Sequence, residues 1–149
     1  MLKKIGYVLF ATLVLIQFIR PERNLQQGPF PNDIASELAI PQDVNTILQQ
    51  ACYDCHSNNT TYPWYAQVQP LNWWIQHHVN EGKEHLNFNE FATYTSKKKH
   101  HKLEEIAEVV TEGEMPMDSY QWMHGNARLT DAQKTALVQW AKRSMLQYQ

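Results

Sequence analysis

Pro41-Gln42-Asp43-Val44-Asn45-Thr46-Ile47-Leu48-Gln49-Gln50-Ala51-Cys52-Tyr53-Asp54-Cys55-His56 joins a helix signal to a chemical motif. Proline at the first helical position, with an acid in the first turn, marks a helix start. Val44, Ile47, Leu48 and Ala51 then recur at i, i+3, i+4 and i+7, an apolar stripe that runs straight into Cys52. Cys52 and Cys55 are the only two cysteines of the 149 residues. They lie three apart, so on a helical turn both sulfurs face one way, and His56 follows at once.

The same periodicity sets out three more helices. Pro70 opens one whose stripe is Leu71, Trp74, Ile75 and His78, ending near Gly82 as a C-terminal cap. Another runs from about Lys97 or Lys102 to Glu112, with Leu103, Ile106, Ala107 and Val110 inward, and is stopped by Gly113 and Pro116. Thr130-Asp131-Ala132-Gln133 is a capping box, followed by Ala136, Leu137, Trp140 and Ala141 on one face. No segment alternates as a strand does. The expected fold is all-α, a small cytochrome c-like helical domain with long loops over residues 40–149.

Two thiols and an adjacent imidazole suit the two vinyl groups and the iron of one haem, which is why Cys-x-x-Cys-His reads as covalent c-type attachment. Two other chemistries fit the cysteines alone. One is a disulfide. The other is half of a zinc site completed by His77 or His78 with His100 or His101. A second axial ligand is expected from Glu114-Met115-Pro116-Met117, because neither methionine belongs to an amphipathic stripe and a thioether opposite histidine suits an electron carrier. Met115 ranks first, then Met117, then His78, which lies on the apolar face of its helix. Met123 and His124 stand near enough in sequence to line the same pocket. The aromatic cluster Trp64, Tyr65, Trp73 and Trp74 suits a flat apolar ligand and is expected to exclude water from it.

Ahead of the domain, Lys3 and Lys4 precede an apolar run from Ile5 to Ile19, closed by Arg20-Pro21-Glu22-Arg23. It falls short of the roughly 20 residues of a full crossing, but flanking Lys and Arg can snorkel. The Gln17-Phe18-Ile19-Arg20 end lacks the small residues of a cleavage site. Residues 1–20 are therefore expected to form a retained, single-pass anchor in a bacterial cytoplasmic membrane, with the haem domain on the periplasmic or outer side. Residues 21–39, with Gly28, Pro29 and Pro31, read as an irregular tether. A net charge of -2 implies no nucleic-acid partner. The Lys97-Lys98-Lys99-His100-His101 run reads as a solvated helix start.

The chain resembles the haem-binding domain family of small membrane-anchored bacterial c-type cytochromes. The likeness is carried by Gln17-Phe18-Ile19-Arg20-Pro21, Ala51-Cys52-Tyr53-Asp54-Cys55-His56-Ser57-Asn58 and Tyr62-Pro63-Trp64-Tyr65. It continues through Val79-Asn80-Glu81-Gly82-Lys83, Leu86-Asn87-Phe88-Asn89-Glu90, Gly113-Glu114-Met115-Pro116, Tyr120, His124 and Ala127-Arg128-Leu129-Thr130. The resemblance implies a monohaem domain with Cys52 and Cys55 as attachment points and His56 as proximal ligand. It favours Met115 as distal ligand, because the family pattern Met-Pro-Pro places a proline where this chain has Met117. The expected activity is electron transfer with redox partner proteins. A peroxidase-like enzyme using His78 or His124 as acid/base, or a haem-based sensor, is the alternative.

Overall fold

The computed structural model describes all of Met1–Gln149. Its helices are α1 (Leu2–Ile16), α2 (Gln42–Ala51), α3 (Tyr53–His56), α4 (Leu71–His85), α5 (Ser96–Glu112), α6 (Asp118–Met123) and α7 (Asp131–Met145). The β pairing is one isolated bridge between Leu25 and Asn59, so the fold is all-α, as the periodicity predicts.

The stripe of α2 is buried as expected, with Val44, Ile47, Leu48 and Ala51 inward. At Cys52 the backbone leaves the helix, with φ -126° and ψ -44°, before the single turn of α3 begins. Helix α5 buries Leu103, Ile106, Ala107 and Val110, and packs along α7, which buries Leu137, Trp140 and Ala141. Each such large apolar side chain contributes about 1.5–3 kcal/mol by leaving water. Gly113 ends α5 with φ +79°, a left-handed conformation that costs a side-chain-bearing residue more than glycine. Both hydrogen bonds of the Thr130–Gln133 capping box are formed at the start of α7.

Helix α4 departs from its reading twice. It continues past Gly82 to His85, so that glycine is a mid-helix residue and not a cap. Its buried face is partly polar: beside Val79, Asn72 donates to the Ala66 carbonyl at 2.8 Å, and Gln76 accepts from the Tyr62 hydroxyl at 2.6 Å. The apolar stripe is rotated away from the core, leaving Leu71 46 % and Trp74 47 % exposed. Periodicity identifies an apolar face but not what covers it.

The N-terminal anchor is a correction. Helix α1 spans 15 residues, about 22 Å at 1.5 Å per residue against a hydrocarbon core of about 30 Å. No helix of the chain is long and apolar enough to cross a membrane, so the single-pass anchor in a bacterial cytoplasmic membrane, and the location it implied, are not supported. The physical reason lies at Gln17. Its amide exchanges two hydrogen bonds with the Gln69 backbone, at 2.9 and 3.2 Å, while Gln69 and Trp73 both donate to the Ile19 carbonyl. Those contacts take residues 17–19 out of the helix and fold them onto the start of α4.

Residues 21–39 have no long helix, yet they pack against the domain. Ile34 and Leu38 belong to the core, and the Asn24 side chain donates to the Ser57 carbonyl and the Thr60 hydroxyl at 2.7 and 2.9 Å. Within the basic run at the start of α5, Lys99 is buried and paired to Glu37 at 2.6 Å, so it serves this packing and not solvent.

Two substitutions separate core from cap. Leu103→Ala, at a fully buried position, is expected to lower unfolding free energy by about 2–5 kcal/mol. Thr130→Ala is expected to cost only about 1 kcal/mol. Urea unfolding of the two variants beside the parent measures both.

Candidate haem-binding site

Helix α2 delivers Cys52 at its end, and the turn of α3 presents Cys55 and His56. The opposite wall comes from the segment after α5, which carries Met115, Pro116 and Met117, and from Tyr120 of α6. Between them lies an open cleft of about 190 Å³, lined further by apolar Ala51, Val110, Leu129 and Leu137 and by His78, Glu81, Gly82 and His85 of α4. Four segments distant in sequence thus converge on the two cysteines.

Gly82 makes the wall possible. A Cβ built there would stand 2.7 Å from the Cys55 carbonyl oxygen and 3.1 Å from its Cβ. Helix α4 therefore touches the cysteine turn backbone to backbone. Three residues further along, α4 ends, and the Leu86 carbonyl oxygen lies 3.0 Å from His56 Nδ1. A carbonyl only accepts, so Nδ1 carries the proton and donates. Burial holds His56 below the ordinary histidine range, so the ring is neutral at pH 7, and its Nε2 lone pair is left for an electrophile. A carbonyl that accepts from one imidazole nitrogen is the usual way a metal-bound histidine is oriented.

The Leu86 carbonyl is itself held by a polar network. Asn89 Oδ1 accepts from the Asn58 backbone at 2.8 Å, and Asn87 donates to the Asn58 side chain at 2.7 Å. Asn89 also donates to Asp33 at 2.7 Å, and Asp33 accepts from the Tyr53 hydroxyl at 3.2 Å. Tyr53 stacks on Phe88 with centroids 5.0 Å apart, and Phe88 meets His56 edge-on at 6.1 Å. The segments on both sides of His56 are thereby fixed.

Both cysteines are free. Burial pushes the Cys52 thiol up to about 12 and the Cys55 thiol up to about 11. Burial thus favours the thiol over the thiolate at neutral pH, which disfavours disulfide exchange. No group of three or more His, Cys, Asp and Glu side chains is placed to hold a metal ion. His77 and His78 pair with Glu81, and His101 with Glu104 and Glu105; of these only His78 also lines the cleft with the cysteines.

Met115 lines both the cleft and a second hollow that also contains Cys52, His56 and Leu86. Met117 and His78 share only the first of these with His56, and extend instead into an adjoining apolar pocket toward Cys55. Tyr65, Trp74, Met123 and His124 line that adjoining pocket. Trp64 is 79 % exposed and Trp73 is engaged with Ile19, and both stand outside these linings.

The model of the haem-binding domain family matches residues 11–143. The chain belongs to the haem-binding domain family. No curated protein and no solved structure gives a match. The chain's own residues fit the family's ligand. The α4 stripe that the core leaves uncovered places Trp74, Ile75 and His78 along the adjoining pocket, and the cleft floor is apolar where a porphyrin face requires it. Gly82, Leu86 and Tyr120 are the participants that a motif search leaves without roles. Gly82 is legible only as a glycine inside a helical pattern, and the part played by Leu86 is a backbone carbonyl that no side chain announces.

Gly82→Ala tests the close approach by its sign. Helix propensity alone favours alanine by about 0.8–1.0 kcal/mol. The contact with Cys55 is expected to reverse this into a loss of about 1–3 kcal/mol. Urea unfolding of the two proteins gives the sign directly.

Proposed function

We propose that this haem-binding domain is a monohaem c-type electron-transfer protein, with thioether links at Cys52 and Cys55, His56 as proximal ligand and Met115 as distal ligand. The observation that carries the reading is the His56 Nδ1–Leu86 hydrogen bond at 3.0 Å, beside two free thiols in one cleft. It leaves Nε2 unprotonated and oriented. Each thiol adds its S–H across one vinyl C=C, so attachment needs no external oxidant.

A bound haem iron supplies a one-electron Fe(III)/Fe(II) couple. The residues of the chain do the rest. Cys52 and Cys55 tether one edge, so that the group is not lost on a change of charge. Val110, Leu129 and Leu137 keep water from the cleft floor, and a lower dielectric favours the less charged centre. Met115 is supported over Met117 and His78 because it alone of the three shares both hollows with His56. With His56 and Met115 both holding a bound haem, little would need to rearrange on reduction, which would suit electron exchange with redox partner proteins better than substrate turnover.

Protein made in cells with haem-attachment machinery is expected to keep its haem on a denaturing gel and to give a pyridine haemochrome band of the doubly saturated type. Cys52→Ala and Cys55→Ala are each expected to shift that band toward one unsaturated vinyl. Loss of all haem from the parent on denaturation would remove the covalent reading. Met115→Ala is expected to convert a low-spin ferric spectrum to high-spin, whereas Met117→Ala leaves it low-spin. The opposite pattern would move the distal assignment to Met117.

A further inference from the structure

Asp54 is one of the two residues that the Cys-x-x-Cys-His motif leaves unspecified, yet its oxygens are fully engaged. Its Oδ2 accepts from the Tyr120 hydroxyl at 2.7 Å, and its Oδ1 from the Thr61 backbone N–H at 3.0 Å. Its carbonyl accepts from the Thr60 hydroxyl at 2.6 Å, and Thr60 is in turn held by Asn24. The carboxylate is thus a fixed acceptor and not a swinging surface group.

Tyr120 sits on α6, a six-residue helix with no buried residue. Such a helix is too short to be stable alone. Its ring stacks on His124 at 4.1 Å, but that contact is internal to the segment. Backbone hydrogen bonds tie the segment to the helix before it and hold it together within itself. At the front, the Glu114 and Met115 N–H groups both donate to the Val109 carbonyl at the end of α5, at 2.9 and 3.2 Å. Within it, the Tyr120 and Gln121 N–H groups donate to the Met117 carbonyl at 3.0 and 3.1 Å, and the Gln121 side chain donates to the Pro116 carbonyl. Met115–Met117 and α6 therefore form one hydrogen-bonded piece. The Tyr120–Asp54 bond is its side-chain hydrogen bond to the cysteine turn across the cleft.

We infer that Tyr120, acting through Asp54, is a positioning residue that latches the Met115-bearing segment closed over the Cys52–His56 turn. The latch joins the two walls of the cleft by one bond from a neutral donor to a charged acceptor, stronger than a neutral pair. It keeps the Met115 sulfur near the cleft and limits entry of small ligands from solvent. This rests on the proposed haem site, and it names what holds that site shut.

Tyr120→Phe keeps the ring and its stacking and removes only the hydroxyl. Two readouts are compared with the parent, in the full-length protein. The first is amide hydrogen exchange, which needs no haem. Amides of Tyr120 to His124 are expected to exchange at least tenfold faster, with those of α5 and α7 unchanged. The second is the rate of carbon monoxide binding to the reduced protein, with covalent haem checked on a denaturing gel. It is expected to rise at least tenfold in Tyr120→Phe and in Asp54→Ala, and no further in the double variant, because both changes break the same bond. Asp54→Asn, which keeps one acceptor oxygen, is expected to restore most of the slow binding. Unchanged exchange and unchanged carbon monoxide binding in Tyr120→Phe would overturn the latch, and so would multiplying effects in the double variant. If the parent carries no covalent haem, the attachment reading fails while the exchange data still judge the latch.

Discussion

Helix α4 meets the Cys52–His56 turn at Gly82 with no side chain between the two backbones, and the geometry of the whole site follows from that contact. Any Cβ at this place would push the helix away from Cys55. Because α4 ends only three residues later, its displacement would carry the Leu86 carbonyl away from His56 Nδ1. The orientation of the imidazole, and hence which nitrogen is free, thus depends on a glycine four residues upstream of that carbonyl. A hydrogen bond of this kind contributes only about 1 kcal/mol to stability. Its larger consequence is chemical, since it decides the tautomer.

The region around the motif has little regular structure, and side-chain hydrogen bonds do there what helical ladders do elsewhere. Asn24, Asn58, Asn87 and Asn89 are all buried. Each unmade bond in such a place costs about 1–3 kcal/mol. Nearly all are made: Asn72 Oδ1 is the one buried side-chain polar atom without a partner. The network therefore penalises any other path for the loops at 24–33, 57–61 and 86–90, and gives the cleft a defined wall. The packing of Ile34 and Leu38 into the core draws the segment before α2 into the same arrangement.

On the other side the wall is held more lightly. The piece from Met115 to His124 buries little and is hydrogen-bonded mainly to itself and to the end of α5. The asymmetry suits a site in which one ligand is built into a rigid turn and the other is carried by a segment able to yield. The apolar stripe of α4 completes the contrast. Trp74 remains half exposed because the core is sealed by the partly polar face behind it, so the stripe is available to the pocket.

The helices α2, α5 and α7 were legible in the sequence because each has one apolar face that the core covers, with a proline or capping box marking the start of α2 and α7 and Gly113 the end of α5. Local signals suffice where burial follows periodicity. The cysteine motif was legible because its chemistry depends on spacing within one turn, and the family match over residues 11–143 agrees with the haem it implied. The membrane anchor was misread because composition does not show that Gln17 pairs with Gln69, 52 residues away, and ends the helix early. Gly82 was misread as a cap because a close backbone approach and a helix end call for the same residue. The role of Asp54 was hidden because its partner Tyr120 is 66 positions away. By itself the sequence determined the core-facing helices α2, α5 and α7 and the reactive groups, which are local properties. Only the tertiary structure decided which walls those groups share, because that is settled by contacts between residues far apart along the chain.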